Sequence, residues 1–166
     1  MKHYNLFILF IPVTLWLTAC GASTTPTPAQ VACTPPALQE NIVEEAIAAG
    51  AVVVYERTGE ATCINEVWII HPDGRIMGDN GHTTVEETVT PGEISTLLTE
   101  IDELGFFDLL STEHTACRDC FSYRITVSHD GQRETVSAVD GGTDTPGEYW
   151  KVYAKIKRLL PDFPEE

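Results

Sequence analysis

The sequence predicts a small α+β domain: an antiparallel sheet in the order ββββ-α-ββ-α, with two amphipathic helices packed on one face. Three observations predict it. Phe121, Tyr123, Ile125 and Val127 alternate with Ser122, Arg124, Thr126 and Ser128, the period of a strand with one face inward. In "TPGEISTLLTEIDELG" the period changes, and Ile94, Leu97, Leu98, Ile101 and Leu104 recur at helical spacing. The remaining apolar runs are short, β-branched and separated by Pro, Asp, Asn and Gly, which joins them as hairpins.

The elements follow in order. "ALQENIVEEAIAAG" (37–50) reads as a short helix or as linker, and the domain proper as 51–162. "AVVVYERT" (51–58) and "INEVWIIH" (64–71) read as strands, the second ended by the Pro72-Asp73-Gly74 turn. "RIMGDNGHTTVEETV" reads as two weaker strands around Asp79-Asn80-Gly81. The first main helix has Thr90 as N-cap, Pro91 in the first turn and Gly105 at its end. Asp130-Gly131 turns the alternating strand back into a return strand over 133–139. The last helix buries Tyr149, Val152, Tyr153, Ile156 and Leu160, with Lys155, Lys157 and Arg158 complementing the dipole at its C-terminal end.

The N-terminus speaks to address. Lys2 and His3 precede an apolar run from Leu6 to Leu17, which is signal-peptide length and short for a transmembrane helix. Leu17-Thr18-Ala19-Cys20 resembles the bacterial lipobox, which implies a signal peptide over 1–19 and a lipidated Cys20 as new terminus. Residues 20–36 are rich in Ser, Thr and Pro and read as a tether. The expected location is the outer face of the bacterial cell membrane or the outer membrane, held by lipid. Ten Lys and Arg stand against 25 Asp and Glu, a net charge of −15. That balance argues against nucleic-acid binding and against charge-driven adhesion to anionic lipid.

Setting Cys20 aside leaves Cys33, Cys63, Cys117 and Cys120, an even set in an oxidising compartment, so two disulfides are expected. Cys33–Cys63 with Cys117–Cys120 is the favoured pairing; Cys63 with Cys117 or with Cys120 stays open. "HTACRDC" has two other readings. Zinc would draw on His114, Cys117, Cys120 and Cys63, but no second paired spacing accompanies them. A redox CxxC belongs at a helix start, whereas this one leads into a strand. The staple is therefore preferred, with no metal and no cofactor expected.

The sequence carries no GxSxG, Walker, HExxH or GxGxxG motif. Asp140, Asp144 and Glu148 offer oxygen but miss the EF-hand spacing, and read as turn and cap residues. No catalytic residue is assigned, and a non-enzymatic role is expected.

"YERTGEATCINEVWIIHPDGRI", "LLTEIDELGFFDL", "CRDCFSYRITVSHDG" and "PGEYWKVYAKIKRLL" resemble, in order, segments of small bacterial lipoproteins of unassigned function. The chain is also distantly similar to emfourin-type inhibitors of thermolysin-like metalloproteases. In those an Arg-x-Gly-Gly-x-x-Gly loop lies in the first hairpin, and Arg57, Thr58 and Gly59 fit its opening. Glu60 and Cys63 stand where the second and third Gly would be, while Phe106-Phe107 and Phe121-Ser122-Tyr123 match later parts. The resemblance implies a partner-binding loop with Arg57, Thr58, Gly59 and Glu60 as its contacts. The functional expectation is a membrane-anchored binding module whose partner is a protease or another envelope protein. An envelope-assembly lipoprotein and a metal-binding lipoprotein are the alternatives.

Overall fold

β1 (Val53–Gly59) sits at the centre of a six-stranded sheet because both of its edges find antiparallel partners, β2 (Ile64–Ile70) and β5 (Phe121–His129). The computed structural model describes residues 39–59, 64–111, 120–141 and 144–164. The other elements are α1 (Gln39–Ala48), β3 (Arg75–Asp79), β4 (Thr84–Thr88), α2 (Pro91–Glu103), a 3₁₀ turn over Phe106–Asp108, β6 (Gln132–Val139) and α3 (Gly147–Lys157). The sheet order is β4-β3-β2-β1-β5-β6, and each neighbouring pair is antiparallel. The chain is thus α+β.

Register assigns the faces. Val53 lies between Ile70 and Val127, and Tyr55 between Trp68 and Ile125. These residues share one core with Ile94, Leu97, Leu98 and Ile101 of α2 and with Tyr149, Val152 and Ile156 of α3. Val54, one residue out of step, belongs to a second cluster with Val67, Ala51, and Val43 and Ala46 of α1. Because strand side chains alternate sides, α1 covers the face opposite α2 and α3. The segment read as helix or linker is therefore a packed layer of the fold.

Local chemistry sets the turns. Asp130 (φ 49°) and Gly131 (φ 78°) make the two-residue turn of the β5–β6 hairpin, which needs positive φ at both central positions. Gly74 (φ 97°) closes the β2–β3 turn, and a side chain there would meet the Val89 carbonyl oxygen at 2.0 Å. Thr90 caps α2 in a reciprocal box: its hydroxyl accepts from the Glu93 N–H, and the Glu93 carboxylate accepts from the Thr90 N–H at 2.8 Å.

Trp68 is the largest fully buried side chain, and β3 makes room for it. Gly78 is its cross-strand partner, and a β-carbon at Gly78 would meet the indole at 2.3 Å. From the segment after α3, Phe163 closes over the same indole at 4.7 Å between ring centroids. Gly78→Val therefore overpacks the core and lowers stability by about 1–3 kcal/mol, read as a shift of the denaturation midpoint with changed tryptophan fluorescence. An unchanged midpoint and spectrum would show that the indole does not lie across Gly78.

Candidate functional site

Arg57, Thr58 and Gly59 are the last residues of β1, paired to Glu66, Asn65 and Ile64 on one side and to Tyr123, Ser122 and Phe121 on the other. They begin a strand end, not an open loop. Glu60 lies outside the described residues, as do Cys20, Cys33, Cys63, Cys117 and His114. Cys120 immediately precedes β5 and is disulfide-bonded. Among the described residues no group of three His, Cys, Asp or Glu side chains is placed to hold a metal ion. His71 is buried in the β2–β3 turn, and burial, with Arg75 nearby, pushes its imidazole below the usual value.

The Arg57 side chain turns inward, to the face that carries α2 and α3. Its Nη1 donates to Glu66 Oε1 at 3.3 Å, and the guanidinium lies 4.3 Å over the Phe121 ring. Arg57 Nε and Glu66 Oε2 are buried without a hydrogen-bond partner among the described residues. Around the pair, Tyr123 meets Trp150 and Tyr153 edge-on at 5.3 and 5.4 Å, and Tyr55 meets Tyr153 at 5.7 Å. Edge-to-face rings of this kind add to simple burial and weld α3 to β1 and β5. Arg57 is thus committed to holding the sheet end together.

Burial pushes the phenols of Tyr55, Tyr149 and Tyr123 up. Tyr153 and Glu66 reinforce this at Tyr55, Tyr123 and Tyr153 at Tyr149, and Asp140 and Tyr153 at Tyr123. No acceptor meets the Tyr55 hydroxyl in hydrogen-bond geometry among the described residues, although the Tyr153 phenol is close enough to favour the neutral form.

The opposite face is only partly covered. Toward β6, Glu44 of α1 takes both Arg133 Nη atoms, at 2.6 and 3.0 Å. Beneath, Glu56 is 2% exposed and is answered by its cross-strand partner Arg124 through two bonds, one of 2.8 Å to Nη2. Toward β3 and β4 the helix leaves a groove of about 570 Å³. Val67, Ile69 and Met77 line it from the sheet and Ile42 from α1, while the exposed Asp79 and Glu86 carboxylates border it. Its size falls within the range of ligand sites, and so does its apolar lining with a few polar groups.

Sequence reasoning did not identify this groove. The available signal was β2, where apolar residues of both parities (Val67 and Ile69 as well as Trp68 and Ile70) mark a strand with apolar neighbours on both faces. Met77 repeats the signal in β3.

The buried phenols give a pH dependence with a definite sign. A phenol whose folded value is raised contributes stability that is fully present below the unfolded value, about 10, and is lost as pH rises past it. Alkaline unfolding therefore begins above pH ~10, and the tyrosinate absorbance of Tyr55, Tyr123 and Tyr149 appears together with loss of the far-ultraviolet circular dichroism. Tyr55→Phe with Tyr149→Phe moves the transition to higher pH, since neither hydroxyl has a hydrogen-bond partner to lose among the described residues. Ordinary tyrosinate titration with the fold intact would place these phenols in water.

Compared with known proteins, the chain matches no protein family and no curated protein sequence.

Proposed function

We propose that the protein is a lipid-anchored, extracytoplasmic binding module, without enzymatic activity, whose domain follows a signal peptide over 1–19 and a tether from Cys20. The observation that carries the binding role is the half-covered sheet face, where an apolar-lined groove stays open beside α1. The address rests on Leu17-Thr18-Ala19-Cys20 at the end of an apolar run. An envelope protein is the partner that this combination favours. Protease inhibition is the narrower reading, and it rests on the resemblance at Arg57–Gly59. The inward engagement of Arg57 with Glu66 and Phe121 weighs against that side chain as the contact, leaving Glu60 and its neighbours to make it. The favoured Cys33–Cys63 and Cys117–Cys120 pairing belongs to this reading, as staples of an exported domain.

Two measurements test the proposal. Expressed as the full chain in a bacterium, the protein is processed, labelled by a palmitate analogue and recovered with membranes. Cys20→Ser abolishes the label, and a label that persists would move the anchor elsewhere or remove it. The full chain is also titrated against a thermolysin-type protease. Absence of inhibition at micromolar protein is the expected result, and stoichiometric inhibition without cleavage would favour the inhibitor over the groove.

A further inference from the structure

Among the described residues β4 is paired on its β3 side alone, so it is an edge of the sheet. Two bonds fix the direction of its peptide groups. The Val89 N–H donates to the Gly74 carbonyl at 3.0 Å and the Asn80 N–H to the Thr83 carbonyl at 3.2 Å, one at each end of the ladder. Antiparallel bonding alternates along a strand, so Val85 and Glu87 face β3 with their peptide groups. Those of Thr84, Glu86 and Thr88 face outward. The Thr88 N–H is taken by the Glu87 carboxylate at 3.2 Å, which leaves Thr84 and Glu86 as the pairing positions.

The same alternation sends the Thr84 and Glu86 side chains to the groove. Edge and groove are therefore one continuous surface. A strand laid beside β4 would set every second side chain against Glu86 and Thr84 at the rim of the groove, because neighbouring strands stand about 4.8 Å apart. Main-chain pairing would supply affinity and the alternate side chains selectivity, which is how extended peptides add to sheet edges.

Charge decides the occupant. Asp79, Glu86 and Glu87 are exposed at this edge, in a chain of net charge −15. A second copy of β4 would set carboxylates against carboxylates, and like charges placed opposite destabilise a sheet pair. Lys or Arg opposite Glu86 on the groove face reverses the sign, and because strand side chains alternate faces the apolar residues between them fall on the other face, beside Val85.

Building on the binding role above, we infer that the β4 edge receives an extended partner segment in which basic and apolar residues alternate, added to the sheet as a new edge strand with its basic side chains at the groove rim. The probe is an end-blocked peptide of alternating lysine and leucine, titrated into the isotope-labelled full chain in detergent micelles. It binds saturably, shifts the amide signals of Thr84 and Glu86 and slows their hydrogen exchange. Glu86→Lys, at an exposed position, weakens it about tenfold, as turning one cross-strand attraction into a repulsion requires. A glutamate–leucine peptide of the same length does not bind.

Equal affinity for the charge-reversed variant, or shifts that leave β4 untouched, would overturn the inference. So would self-association through β4 in place of peptide binding. Should Met77→Arg abolish peptide binding while β4 shows no protection, the groove remains a binding site and the added strand is wrong. If the peptide binds neither edge nor groove, the inference fails, whereas the anchored address stands or falls on Cys20.

Discussion

Everything in this fold is registered against a central strand that is buried from both sides. Val53, Val54 and Tyr55 are each fully buried, and so is nearly all of Glu56. A strand covered on one face alone would alternate apolar with polar, but "VVYE" cannot, because helices lie on both faces. A one-residue slip in this strand would exchange the two sets of side chains. It would drive Glu56 into the place of Tyr55, among the rings beneath α3, and withdraw it from Arg124. The Glu56–Arg124 pair thus makes the wrong register costly. A buried ion pair of this kind is weak evidence for net stability, and its contribution here is to specify the alignment.

Among the described residues the two faces receive unequal cover, and the groove follows from the difference. α2 and α3 are joined across their outer sides by Lys155 and Glu100 at 2.9 Å and together roof the larger core. Among the described residues the other face has a single helix, of ten residues. Its bidentate tie between Glu44 and Arg133 lies on the β6 side. Apolar side chains of β2 and β3 that a longer or second helix would bury are left lining an open groove. Among the described residues the groove is thus a consequence of how few helices face this side of a six-stranded sheet.

Legibility divided along the same line. The elements facing the larger core announced themselves locally: the alternation of β5, the Asp130-Gly131 turn, and Thr90-Pro91 ahead of a helical apolar stripe all carry their signal within a few residues. The second face did not. α1 has few strongly apolar side chains, Ile42, Val43 and Ile47, separated from the main helices by four strands, and its role as a layer appears only when Val54 and Val67 are seen to be turned toward it. The setting of Arg57 was hidden for a related reason. The resemblance sets Arg57 at the opening of a loop, and its partner Glu66 lies nine residues on, across a strand pair that fixes which way both point. The match of Gly78 to Trp68 is equally non-local, since it depends on a register that neither residue encodes alone.

The acidic balance of the chain acquires a direction in this setting. On the proposed anchor, a domain of this charge is repelled by an anionic lipid surface instead of lying down on it. The same field draws a basic segment toward the domain and accelerates encounter, more so at low ionic strength than at high. Coulomb attraction falls off too gradually to choose among basic partners, so on the proposed binding role discrimination comes from contacts that need alignment: the outward peptide groups of Thr84 and Glu86 and the side chains on either face of β4. Steering and recognition are then carried by different features of the same edge. The field concerns how often a partner arrives, and the strand geometry concerns whether it stays.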